Sequence, residues 1–223
     1  TGVLAGYNKL QGVETSGLAV GQIIGSNIAQ ATLLLGIVGI AGTLYISKKS
    51  LGRDGFMMVF ALLAMFMTAL DGEVTRLEGL ILILIYVGYL AYLMIHEKII
   101  VKASKDGEGY HPMLDVLLIF VGVGVVVFMA NLVVVYGVRL AGLFGVSEVL
   151  VGLFIGLGNA LPELSISLKA ISRGSGSLSL GTLIGSNITD PLLSFGLGAA
   201  VAGFAVSSQT LIFDFPFWLV GTL

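Results

Sequence analysis

The chain has 223 residues, 57% hydrophobic and only 11% charged, with a mean hydropathy of +1.04. A soluble domain carries about a quarter charged residues, so this is membrane-class composition; the lack of cysteine excludes disulfide frameworks, thiolate metal sites and thiol catalysis. A net charge of −2 with no basic run leaves no electrostatic footprint for nucleic acid, so functional charge is to be sought inside the membrane.

Residues 1–10 lack the basic start and apolar length of a signal peptide and read as the tail of a helix. Crossing a bilayer takes about 20 apolar residues, and seven intervals poor in charge follow: 16–46, 55–70, 77–95, 113–138, 147–170, 176–204 and 207–223. The second and last are short for a perpendicular span. The first and sixth are longer than one straight helix needs and carry Gly, Ser and Asn near their centres, which predicts a break in each. Barrel strands are excluded because the apolar runs are continuous rather than alternating. The loops after the first, third and fifth spans hold Lys48, Lys49, Arg53, Lys98, Lys102, Lys105 and Arg173, with Lys169 at the end of the fifth span; the opposite side holds Lys9, Arg76 and Arg139. The excess of basic residues places the first group in the cytoplasm, in what is expected to be the cell membrane. Residues 97–112 are polar and form a cytoplasmic linker between a first half, 1–96, and a second, 113–223.

The two halves share a motif. Gly21-Gln22-Ile23-Ile24-Gly25-Ser26-Asn27-Ile28-Ala29-Gln30 returns as Gly181-Thr182-Leu183-Ile184-Gly185-Ser186-Asn187-Ile188-Thr189-Asp190, and the same offset of 160 positions pairs Leu33 with Leu193, Gly36 with Gly196 and Asp54 with Asp214. From the first span to the sixth is five steps, an odd number, so the copies cross the membrane in opposite directions. Such an inverted repeat marks many secondary transporters. At that offset the partners of some spans fall before Thr1 or beyond Leu223, so a complete version is expected to have ten helices in two sets of five.

The charges inside the spans are few. Glu163 is the only acid between Val149 and Leu168, and Asp190 lies in the middle of a stretch from Gly174 to Phe213 with no other charge. Each stands beside a proline. Pro162 has no N–H to offer the carbonyl of Gly158, and Pro191 none for that of Asn187, so each copy sets a carboxylate next to a freed carbonyl. Hard cations such as Ca²⁺ and Na⁺ take such oxygen ligands. A proline kink is often purely structural and a lone acid can pair with a neighbouring helix, yet an intramembrane acid costs roughly 2.5 to 3.5 kcal/mol on insertion scales, and two acids built alike favour function. Ser26, Asn27, Ser186 and Asn187 are ligands or their supports, or else polar glue between helices. Gly152 and Gly156 read as packing, and His96 and His111 as outside transport.

These residues resemble the sodium/calcium exchanger branch of the cation/calcium exchanger superfamily, on the strength of Gly158 to Glu163, Gly185 to Asp190 and the inverted copy at Gly25 to Gln30. The resemblance implies an all-α integral membrane protein of ten helices, of which about seven, the third to the ninth, and the tail of the second are present. It implies that Glu163, Asp190, Ser186 and Ser26 bind the cation, with Gly158, Asn159, Asn187, Asn27 and Gln30 beside them, and that the mobile sixth helix is the span 113–138. Three departures stand out. Ala160 replaces an expected hydroxyl, Gln30 replaces an Asn or Asp, and the acid of the first repeat would lie just before Thr1. The expected function is antiport of Ca²⁺ against Na⁺ by alternating access, with membrane lipid and transported cations as the only partners implied. A Ca²⁺/H⁺ antiporter is the alternative; an intramembrane hydrolase lacks a nucleophile with an adjacent base, and a channel would need a continuous pore.

Overall fold

The structure is a computed structural model that describes residues 2–12, 15–96 and 112–223; the side chains of 112–120, 123, 126, 127 and 130 fall outside the described set. Most of the linker expected at 97–112, with Lys98, Lys102, Lys105 and His111, therefore lies outside the described residues. Helices dominate: α1 (Gly2–Leu10), α2 (Ser16–Ala29), α3 (Leu35–Ala41), α4 (Lys48–Thr68), α5 (Arg76–His96), α6 (Pro112–Phe144), α7 (Glu148–Asn159), α8 (Leu161–Ser172), α9 (Gly176–Thr189), α10 (Phe195–Ala202) and α11 (Phe215–Thr222). Each of the seven expected spans corresponds to one helix or to two joined end to end. Ser16–Ala41, Lys48–Thr68, Arg76–His96 and Glu148–Ser172 are long and apolar enough to cross a membrane. Their outer faces carry large exposed apolar side chains, Ile40, Leu77 and Phe154 among them, as lipid requires. The span that looked short at 55–70 gains its length by starting at Lys48, where Ser47 accepts a hydrogen bond from the Ser50 N–H and caps the helix.

The breaks expected in the first and sixth spans are π-helical turns. Gln30–Leu34 joins α2 to α3 and Asp190–Ser194 joins α9 to α10. They sit at the same place in the two copies, since Gln30 and Asp190 are related by the repeat offset. Proline explains the second turn but not the first, where Ala31 stands in the place of Pro191. A π turn leaves an i→i+4 acceptor unused and widens the helix, a device common at functional sites. A third such turn, Thr210–Asp214, precedes α11.

Glycines set how closely these helices approach. A Cβ on Gly21 would lie 2.2 Å from the Val149 carbonyl oxygen, and one on Gly25 2.4 Å from that of Leu153. From the other side, a Cβ on Gly152 would lie 2.4 Å from the Leu18 oxygen and one on Gly156 2.3 Å from the Gln22 oxygen. Thus α2 and α7 meet backbone to backbone through two glycines each, and Gly152 and Gly156 are indeed packing residues. A second close crossing joins α5 to α10 at Gly79 and Gly196. Around these contacts Leu18, Ile24, Leu62, Met65, Leu82, Phe195, Phe204, Phe215 and Trp218 are fully buried. The sequence reading had no place for strands. A two-residue ribbon, β1 (Glu73–Val74) antiparallel to β2 (Phe204–Ala205), nevertheless ties the α4–α5 turn to the end of α10; it is too short to leave a pattern in the sequence.

Candidate functional site

The span 148–172 is split where Pro162 removes a backbone donor. Helix α7 ends at Asn159 and α8 begins at Leu161, with Ala160 between them. The Ala160 N–H turns back to the Gly156 and Leu157 oxygens at 3.1 and 3.3 Å and also meets the Gly158 carbonyl, which Pro162 cannot reach. This places Glu163 in the first turn of α8, where the helix dipole favours negative charge. Its Oε2 is buried with no hydrogen-bond partner among the described residues.

Facing this break are the two π turns. Asp190 opens the turn after α9, and its Oδ2 accepts a hydrogen bond from Asn27 Nδ2 at 3.3 Å while Ser194 Oγ approaches Oδ1 at 3.5 Å. Helix α8, with Glu163 in its first turn, packs against α9, which leads into Asp190. The opposite pair follows the repeat. Asn187 Nδ2 donates to Gln30 Oε1 at 2.9 Å, so that each asparagine reaches across to the residue opening the other copy's turn. Each also donates to a carbonyl in its own helix, Asn27 to Ile23 at 2.7 Å and Asn187 to Leu183 at 3.0 Å. Both amide oxygens, Asn27 Oδ1 and Asn187 Oδ1, are buried without a partner among the described residues. Gln30 Nε2 donates in turn to Ser26 Oγ at 3.1 Å.

Beside this network is a cavity of about 540 Å³ lined by Ser26, Gly158, Asn159, Asp190, Ser194 and Gln22, with α6 closing it through Val125, Met129 and Val133. Of the residues singled out in the sequence, four therefore line one cavity, and Glu163, in the first turn of α8, is not among its lining residues. Asn27, Asn187 and Gln30 are buried and bonded across the repeats, Asn27 to Asp190 and Asn187 to Gln30, and Ser186 is half-buried on α9; none of these four lines the cavity. The departure noted at Ala160 is a fully buried methyl in a small apolar cluster with Ala29, Leu34, Val38 and Leu183. Two residues were missed. Ser194 lies one turn beyond Asp190, and Gln22, whose buried Oε1 has no partner among the described residues, lies one turn before Ser26. Both could have been found by stepping four residues along the same helix face. Unpaired buried oxygens cost about 1 to 3 kcal/mol each, and Gln22 Oε1 at the cavity, with Asn27 Oδ1, Asn187 Oδ1 and Glu163 Oε2 on the elements around it, are acceptors that a metal cation could satisfy. Among the described residues no group of three or more acidic or histidine side chains is placed to hold a metal ion, so such a cation would rest on at most two carboxylates and neutral oxygens. His96 is at the exposed end of α5, stacked on Tyr92 at 4.2 Å, away from this cavity.

Two copies of a broken span, each with an asparagine bonded to the residue opening the other copy's π turn, are the architecture of the inverted-repeat transporters. The family model for the sodium/calcium exchanger protein matches residues 4–95 and 114–223, and the chain belongs to that family. The sodium/calcium exchanger MaX1 of Methanosarcina acetivorans is 25% identical over 246 residues, covering 91% of this chain and 70% of that protein. Among solved structures, the sodium-calcium exchanger NCX_Mj matches with a TM-score of 0.63 at 22% identity, over 99% of this chain and 72% of that one. The H⁺/Ca²⁺ exchanger CAX matches with a TM-score of 0.67 at 18% identity, over 93% and 57%. These two likenesses establish the fold. The chain spans 60 and 61% of the length of two other curated relatives it matches.

Proposed function

We propose that the protein is a secondary antiporter that moves Ca²⁺ against Na⁺ by alternating access, with 1–96 and 113–223 as its two repeats joined by 97–112. The observation that carries this reading is Asp190, at the π turn after α9, lining one cavity with Ser26, Gly158 and Asn159, while the break that ends α7 at Asn159 sets Glu163, with its buried unpartnered Oε2, in the first turn of α8. A divalent cation inside a membrane needs compensating negative charge, and two carboxylates neutralise it. Glu163 and Asp190 supply that charge, the Ser26 and Ser186 hydroxyls, the Asn159 amide and the Gly158 carbonyl supply neutral oxygens, and Asn27, Asn187 and Gln30 hold the two broken spans in register. Helix α6 covers the cavity with apolar side chains and is the element whose movement opens it. The family, with MaX1 among its relatives, favours sodium as the counter-ion.

Exchange for protons is the second reading, favoured by Ala160, where a hydroxyl that sodium could use is replaced by a methyl. A proton needs one carboxylate, whereas sodium needs several oxygens. Calcium uptake into proteoliposomes, driven by a sodium gradient at constant pH or by a pH gradient without sodium, separates the two. The sodium gradient is expected to drive uptake; uptake driven by the pH gradient alone would replace sodium with protons. Ala160→Ser is then expected to raise sodium dependence.

A further inference from the structure

We propose that Gln30 closes the first-repeat arm of the site to counter-cations and thereby limits how many monovalent cations are exchanged per calcium; this rests on the antiport reading. Gln30 and Asp190 occupy equivalent positions at the start of the two π turns, and each accepts a hydrogen bond from the asparagine of the opposite repeat. Their remaining bonds differ. Asp190 lines the cavity as a carboxylate with Ser194 beside it. Gln30 is 0% exposed, its Oε1 is taken by Asn187, and its Nε2 points a hydrogen at Ser26 Oγ. The Ser26 oxygen thus already accepts one hydrogen bond, which leaves it one lone pair, enough for contact with the calcium ion but not for bridging to a second cation.

The neighbours repeat this inequality. Where the second repeat has Thr189 and Ser194, the first has Ala29 and Leu34, of which Leu34 is fully buried. The second-repeat turn thus presents Asp190 and Ser194 to the cavity, while the equivalent Gln30 and Leu34 do not line it, although the helical scaffold is duplicated. Glutamine can play this part because its extra methylene lets one amide span Ser26 on its own helix and Asn187 on α9.

The isosteric variant Gln30→Glu separates shape from donor. Its carboxylate still accepts from Asn187 but cannot donate to Ser26, which frees the Ser26 oxygen and adds a charge beside it. In proteoliposomes with paired calcium and sodium flux measurements, the sodium-to-calcium ratio is expected to rise by about one, and the half-saturating sodium concentration to fall roughly tenfold, the scale of one added charged contact. Gln30→Asn, too short to hold both partners, is expected to shift both in the same direction, and provides the test if Gln30→Glu does not reconstitute. Wild-type ratios and sodium affinity in both variants would overturn the proposal. Absence of calcium flux under any gradient in the unaltered chain would overturn the antiport reading alone. Gln30 is then judged by thermal stabilisation in detergent by sodium chloride relative to choline chloride: a gain confined to Gln30→Glu supports its role, and equal curves overturn it.

Discussion

At Gly156 the space for one side chain decides whether two helices can meet. A Cβ there would fall 2.3 Å from the Gln22 carbonyl oxygen and 2.6 Å from the Ser26 backbone nitrogen, and backbone atoms have no rotamer into which to retreat. Overpacking usually costs about 1 to 3 kcal/mol, and here the strain is delivered to α2 one turn from Ser26. Gly156→Val is therefore expected to lower the thermal midpoint in detergent and to reduce calcium affinity along with it. Gly88 on α5, around which a Cβ would meet nothing within 4 Å, provides the contrast; Gly88→Ala is expected to hold or raise the midpoint, through a gain in helix propensity of up to about 1 kcal/mol. Equal midpoints for the two variants would show that the α2–α7 contact is looser than described. The asparagines act by reach rather than bulk. Their sequence signature, Gly-Ser-Asn in both copies, was legible, but that each amide crosses to the other repeat was not, because no spacing along one chain encodes a contact between residues 163 or 157 positions apart.

Among the elements, the paired π turns separate cause from appearance. The length of both spans, with Gly, Ser and Asn near their centres, made a break legible in each, and Pro191 marked a freed carbonyl in the second. What could not be read was that Gln30–Leu34 adopts the same π geometry without proline. Tertiary fit imposes the turn there, and the backbone at Ala31 already follows the path taken at Pro191. Ala31→Pro is accordingly expected to cost less than about 1 kcal/mol in thermal unfolding, whereas Leu82→Pro, in the regular interior of α5, is expected to cost about 3 kcal/mol or more. Comparable losses would mean that the two turns are alike only in outline. Helix α6 poses a different question. Val133 on α6 and Ile155 on α7 both line the cavity, and the chain has no native cysteine to confuse a cross-link. A disulfide in the double variant Val133→Cys, Ile155→Cys is expected to stop calcium uptake and reduction to restore it. Uptake undiminished by the cross-link would remove α6 as the moving element.

On the scale of the whole molecule, composition made the membrane legible and the repeat offset made the architecture legible, because lipid forces the chain into helices and duplication leaves its register in the sequence. The candidate site was legible in part. Glu163 and Asp190 stood out because charge is costly in lipid, but Ser194 and Gln22, ordinary polar residues one turn away, carried no such mark. The β1–β2 ribbon had no signal at all, being two residues on each side. What unites these features is the claim that two carboxylates from adjacent broken spans hold one divalent cation. Calcium binding to the purified protein, measured by equilibrium uptake of the labelled ion, tests it most directly. Saturable binding is predicted for the unaltered chain, with Glu163→Gln and Asp190→Asn each weakening it by about 100-fold or more, since losing a mere support of a metal ligand already costs about 10- to 100-fold. Calcium binding of unaltered strength in either variant, with the fold intact, would contradict the account.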